Sequence, residues 1–309
     1  MRSSSADAEQ AIVNTVSYVD AFDYPLTLAE IHRYLVQVPL SADGLEHILD
    51  QGRLVPARLS VRNGLYMLPG REDLALLRRE RQQVSARLWP AAIRYGLLIS
   101  RMPFVRMVAV TGSLAVNNVD AREDIDYLVV TADDHLWVSR AFVLLLVRWA
   151  ARRGLELCPN YFLSERALRF GEQNLYTAHE VTQMVPLFGQ PVYDALRLVN
   201  SWTHRYLPNA SGPPTPPSQV GAVQQQAGRQ PARELLEAAF ATPPGRWLDR
   251  WEMTRKISKF QRVYYDSQEA NFTADICKGH FNQHQQRAIE AYARRVASRS
   301  DELTAVTRP

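Results

Sequence analysis

VTGSLAVNNVDAREDIDYLVVT, residues Val110 to Thr131, is the stretch whose reading decides the fold. A strand of apolar residues runs into Gly112-Ser113. Ten residues separate Ser113 from Asp124, and the acidic pair Asp124-Ile125-Asp126 then opens a second strand that continues as an apolar run. Gly112 has no β-carbon, so the chain can turn sharply there and bring its amides close to a phosphate, and Ser113 adds a hydroxyl donor. In a strand, residues two apart point to the same face, so Asp124 and Asp126 project together while Ile125 packs inward. Two carboxylates side by side repel unless a cation sits between them. Oxygen donors of this kind suit Mg2+ (or Mn2+), which keeps waters of its own and binds substrate phosphates as well.

Val110 to Tyr127 resembles the signature of the nucleotidyltransferase superfamily of the DNA polymerase beta type: an apolar residue, Gly, Gly or Ser, a variable loop, then Asp-apolar-acidic-apolar. The compact spacing is similar to that of the small bacterial members rather than of the polymerases. The resemblance covers residues 100–207. It implies that Gly112 and Ser113 hold a nucleoside triphosphate, often ATP, that Asp124 and Asp126 ligate the metal, and that a nucleoside monophosphate passes to a hydroxyl-bearing acceptor (protein, RNA or small molecule). The superfamily also uses a third carboxylate, on the strand after the intervening helix, ordinarily as general base.

That strand reads LELCPNYFLS, Leu155 to Ser164. Its alternation puts Glu156, Cys158, Asn160 and Phe162 on one face, with Leu155, Leu157, Tyr161 and Leu163 opposite. Glu156 is the candidate third catalytic acid. Asn160 is the alternative occupant of that position and a candidate nucleotide-binding residue. A neutral amide can hold a metal but carries no charge and accepts no proton as an acid does. The alternative function is therefore a nucleotide-sensing regulator or toxin-antitoxin component with a degenerate catalytic centre.

Outward from this core the fold class is α+β, a central mixed sheet with flanking modules. Strand VRMVAVTG, strand DIDYLVVT, a helix over 136–153 and strand LELCPNYFLS are followed by helices over 172–184 and 192–206, closing a domain at 100–207. The helix over 172–184 aligns Tyr176, His179 or Glu180, and Gln183 on one face. That makes His179 a candidate nucleotide-binding residue, although an ordinary amphipathic helix gives the same pattern. Upstream, helical spacing over 9–22, a second helix LAEIHRYL capped by Thr27, a third over Ser41 to Leu49, and two strands across Leu54 to Leu68 joined at Asn63-Gly64 make residues 1–70 winged-helix-like. An Arg-rich helix, interrupted at Pro90, connects the modules over 71–99. Residues 208–231 hold six of the chain's 18 prolines and read as a flexible linker, and residues 232–309 as a helical extension with a break between Tyr265 and Lys278.

The 309 residues are 46% apolar and 22% charged, the composition of a globular chain. The longest apolar run, Ala141 to Val147, is too short to cross a membrane. Cys158 and Cys277 lack metal-binding companions, which points to a reducing, cytoplasmic setting; the segment CKGHF from Cys277 reads as a turn beside a helix start. A net charge of +4 suits a phosphate-bearing partner without requiring one. The third helix of the winged-helix-like module carries Asp43, Glu46 and Asp50 and neither Lys nor Arg, which counts against DNA binding even though Arg58 and Arg62 lie in the wing. Arg255, Lys259 and Arg262 form a basic stripe that is either an ordinary solvated face or a site for a phosphate-rich acceptor.

Overall fold

The computed structural model describes residues 5–120, 124–214, 231–263 and 271–279. Helices α1 (Ser5–Asp20), α2 (Leu28–Arg33) and α3 (Ala42–Asp50) pack around Ile12, Val16, Leu26, Ile31, Leu45 and Leu59. Thr27 caps α2 in a capping box with Glu30, and Ser41 caps α3, so both helices start where their short polar side chains can satisfy an orphan amide. The hairpin β1 (Ser60–Arg62) and β2 (Leu65–Met67) turns at Asn63-Gly64, both with positive φ. Its strands are three residues each, shorter than the Leu54 to Leu68 span expected. Leu54 and Leu59 are buried in a turn segment that carries the chain under α1 rather than alongside β2.

Helix α4 (Leu74–Ser100) runs unbroken through Pro90, against the expected interruption. Trp89, Ala92 and Ile93 anchor it to the sheet on both sides of the proline, and this packing outweighs the single hydrogen bond that proline removes.

The central sheet has the order β6 (Val185–Phe188), β3 (Val105–Val110), β4 (Ile125–Thr131), β5 (Leu157–Ser164), β8 (Ile276–Lys278), β7 (Asn271–Phe272). Strands β3, β4 and β5 form its middle, with β3 antiparallel to β4 and β4 parallel to β5. The short helix α5 (Gly112–Ala115) follows β3, and α6 (Leu136–Ala151) makes the crossover from β4 to β5. Beyond β5, α7 (Leu175–Gln183) leads to β6 (Val185–Phe188), an edge strand that tolerates Pro186, and then to α8 (Gln190–Val199). One face of the sheet, with Ile125, Tyr127, Val129 and Phe162, is covered by α4 and α6. The other, with Leu128, Val130 and Leu163, meets α7, α8 and Tyr34 of the N-terminal module.

Two expectations about the second half of the chain are overturned. The first seven residues of the supposed linker, 208–214, are docked: Ala210 is fully buried, Asn209 Nδ2 donates to the carbonyls of His32 and Leu40, and Arg33 and Arg197 donate to the carbonyl of Gly212. These contacts satisfy a backbone that composition alone leaves to solvent. Residues 215–230 lie outside the described residues.

The C-terminal extension is helical up to its expected break between Tyr265 and Lys278, but that break holds strands and the extension is not separate. Helices α9 (Pro231–Phe240) and α10 (Pro243–Val263) are followed by β7 (Asn271–Phe272) and β8 (Ile276–Lys278), and β8 adds antiparallel to β5. Cys277 is thus buried in a strand rather than standing in a turn. Asp249 of α10 accepts the Val138 amide at 2.7 Å and so caps the start of α6. Glu237 of α9 accepts the Phe104 amide at 2.7 Å and pairs with Arg106. The part of the extension expected beyond residue 279 lies outside the described residues.

Candidate functional site

At the end of β3 the chain turns through Gly112 in the left-handed region, at φ +64. A β-carbon there would lie 2.3 Å from Asp126 Oδ2, so only glycine lets the turn close onto the carboxylate. The Thr111 amide donates to the Asp126 carbonyl at 3.1 Å, tying this turn to the first residues of β4. Half-buried Ser113 follows in the opening turn of α5, whose first amides have no partner within the helix.

The loop leaving α5 is pinned from behind. Trp89 Nε1 donates to Asn117 Oδ1 at 2.7 Å, Arg81 donates to Asn118 Oδ1, and Asn118 Nδ2 donates to the Phe22 carbonyl. Residues of α4 and of the N-terminal module therefore hold Asn117 and Asn118, which follow the glycine turn.

Asp124 and Asp126 come together as expected, and the third member of their cluster is Cys158. One ligating atom from each lies within 4.8 Å of the other two. The parallel pairing of β4 with β5 sets Cys158 directly beside Asp126. Burial, then the charges of Asp126 and Asp124, push the Cys158 thiol well above its ordinary range, so it stands protonated beside the carboxylates.

Asn160 also reaches the site. Its Nδ2 donates to Asp126 Oδ1 at 2.6 Å, while its Oδ1 is buried without a hydrogen-bond partner among the described residues. Alternation sets Asn160 on the face of Cys158, as expected, but Phe162 departs from that face. The register shifts between the pairs Asp126–Cys158 and Leu128–Tyr161, so β5 carries one extra residue around Pro159. The shift places Leu157 with Phe162 on the α4/α6 side of the sheet, and Tyr161 and Leu163 on the other, correcting the expected division of faces.

Glu156 is not a member of the cluster. It is exposed just before β5 and contributes its backbone carbonyl, which accepts the Ile125 amide at 3.0 Å. Glu156→Ala is expected to leave stability within about 0.5 kcal/mol in a urea titration and to leave nucleotide-dependent activity within roughly twofold of the parent.

The structure places His179 in the seam between α7 and α1, away from any open face. It is 3% exposed, stacked on Tyr18 with ring centroids 4.4 Å apart, and flanked by Tyr34 at 5.4 Å. Burial lowers its pKa to about 3, so the native ring is neutral. In the unfolded chain the ring titrates near its ordinary value of about 6.5 and binds the proton that the native state refuses, so stability falls as pH drops from about 6.5 toward 3. His179→Phe is expected to lose up to roughly 2 kcal/mol less stability than the parent between pH 7 and pH 5, read from urea midpoints at the two pH values.

Comparison of the chain with known family models, curated proteins and solved structures returned no match. The chemistry is therefore argued from the donor set. The carboxylates of Asp124 and Asp126 are hard oxygen donors, and the orphaned Oδ1 of Asn160 is a third oxygen beside them. These suit magnesium or manganese, whereas the Cys158 sulfur is a soft donor that such ions pass over. The signal in the sequence that reaches Cys158 is the alternation of LELCPNYFLS, which sets it on one face with Asn160.

Proposed function

We propose that this protein is a nucleotidyltransferase that moves a nucleoside monophosphate from a nucleoside triphosphate to an acceptor hydroxyl. The observation that carries the reading is the apposition of the Gly112 turn to Asp126 within the Asp124–Asp126–Cys158 cluster. In this reading the open amides after Gly112 and the Ser113 hydroxyl bind the triphosphate, close to the backbone because no β-carbon intervenes. Asp124 and Asp126 would hold Mg2+ or Mn2+, which when bound offsets the charge of the triphosphate. Asn160 donates to Asp126 and fixes its orientation, with the protonated Cys158 thiol beside it. The acceptor hydroxyl gives its proton to water and its oxygen bonds to the α-phosphorus as the bond from that phosphorus to the α–β bridging oxygen breaks, and pyrophosphate leaves.

A second reading rests on a specific feature. Two neutral groups, Cys158 and Asn160, stand beside Asp126 while Glu156 stands outside the cluster, so among the described residues no third carboxylate joins the pair to take the acceptor proton. This favours slow turnover or nucleotide sensing without transfer. Incubating the purified chain with each α-labelled nucleoside triphosphate and magnesium separates the two. Pyrophosphate release with label on an acceptor, lost in Asp124→Ala and Asp126→Ala, supports transfer. Saturable binding without release supports the sensor. Neither binding nor release removes both.

A further inference from the structure

The outward side of α6, between α4 and α10, is rich in arginine. Residues 84–100 of α4 and 136–153 around α6 contain no Asp or Glu, yet they present the exposed Arg87, Arg94, Arg148, Arg152 and Arg153. Among the described residues no ion pair engages any of these five. Arginines elsewhere behave differently: Arg106 pairs with Glu237, Arg166 with Asp275 and Arg233 with Glu237. Guanidinium groups gathered on one surface repel one another, and an anionic partner relieves that repulsion.

Aromatic surface is interleaved with this charge. Trp149 is 36% exposed and lies under the Arg153 guanidinium at 3.5 Å, and its other neighbour is Tyr95, at a centroid separation of 6.0 Å, with Arg94 beyond. On the far side of α6, a groove of about 300 Å³ opens toward α10. Its floor includes Phe142, Leu145 and Trp251, and its rim includes Arg148, Arg255 and Lys256. Trp251 is 49% exposed. Arg255 and Lys256 share one acid, Glu252, so the rim keeps a net positive charge. Of the basic stripe noted in the sequence of α10, Arg255 thus belongs to this groove.

We infer that this surface binds single-stranded nucleic acid. Polyanionic phosphate explains the unpaired arginines, and flat apolar bases explain why exposed tryptophans sit among them. A duplex hides the base faces these rings would meet, and an acidic peptide has no use for them. The inference goes beyond the nucleotidyl-transfer reading and does not rest on it.

The test is fluorescence anisotropy of labelled single-stranded RNA and DNA oligonucleotides titrated with the full chain over a series of salt concentrations. Duplex of the same length and poly-glutamate serve as competitors. Single strands are expected to bind more tightly than duplex, with log K falling linearly in log salt. Arg148→Gln and Arg153→Gln should each lower affinity and reduce the slope by about 0.7 per contact removed. Trp149→Ala and Trp251→Ala should each cost about tenfold with the slope unchanged, and Trp149→Phe should restore much of the loss. All four positions are exposed, and thermal melts establish that the variants fold. Asp126→Ala should bind as the parent does, which separates this surface from the candidate transfer site. Absence of salt-dependent binding overturns the inference. So does binding in which duplex or poly-glutamate competes equally and the tryptophan variants change nothing.

Discussion

Arg78→Met is expected to destabilise the protein by about 3 kcal/mol, the largest stability effect of any single substitution considered, and to lower the melting midpoint by roughly 6–12 °C. Arg78 is 2% exposed in the middle of three modules. Its Nη2 pairs with Glu30 Oε1 at 2.7 Å, its guanidinium lies 4.0 Å over the Tyr24 ring, and Nη1 reaches the Val116 carbonyl at 3.4 Å. Glu30 closes the capping box of α2, the Tyr24 hydroxyl meets both Glu30 and Val116, and Val116 belongs to the loop behind the glycine turn. Methionine fills similar space but leaves Glu30 without its cation in a largely desolvated setting, and that cost dominates. Pairing it with Glu30→Gln should recover part of the loss, because the two changes act on one network. A urea titration showing less than 1 kcal/mol of destabilisation for Arg78→Met would mean the network is peripheral.

Asp126→Ala is expected to carry the largest effect on activity. Changes to groups that merely orient metal ligands cost about 10- to 100-fold, so removing a carboxylate that holds the metal should exceed roughly 100-fold in label transfer. Asp126 is also the carboxylate against which Gly112 closes and to which Asn160 donates, so its loss empties the centre of the site. Gly112→Ala provides an independent check from the opposite wall. The left-handed backbone costs an alanine about 1–2 kcal/mol, and its methyl group would collide with the Asp126 carboxylate. Both variants should retain a cooperative melt while transfer and nucleotide binding collapse. Undiminished transfer by Asp126→Ala would place the chemistry elsewhere in the molecule.

Features set by neighbours along the chain were legible before any coordinates. Asn63-Gly64 adopts the two left-handed conformations a tight hairpin needs, Thr27 and Ser41 begin their helices as capping residues do, and Gly112 turns toward the pair Asp124 and Asp126. Each depends on dihedral preference, a short side chain, or the two-residue period of a strand. His179 shows where such reasoning stops. A helical wheel puts it on a polar face, and only the docking of α1 across α7 turns that face into an interior lined by Tyr18 and Tyr34.

The chain by itself determined the α+β texture, the glycine turn and the acidic pair, because these arise from interactions within a few residues. The tertiary structure alone decided that Cys158 and Asn160, rather than Glu156, stand beside Asp126, that α4 continues through Pro90, and that residues 276–278 complete the central sheet. The physical reason is the same in all three. Strand register, a bulge at Pro159 and packing that compensates for a lost hydrogen bond are settled by partners distant in sequence, and a strand's own alternation carries no information about which neighbour it meets or in what register.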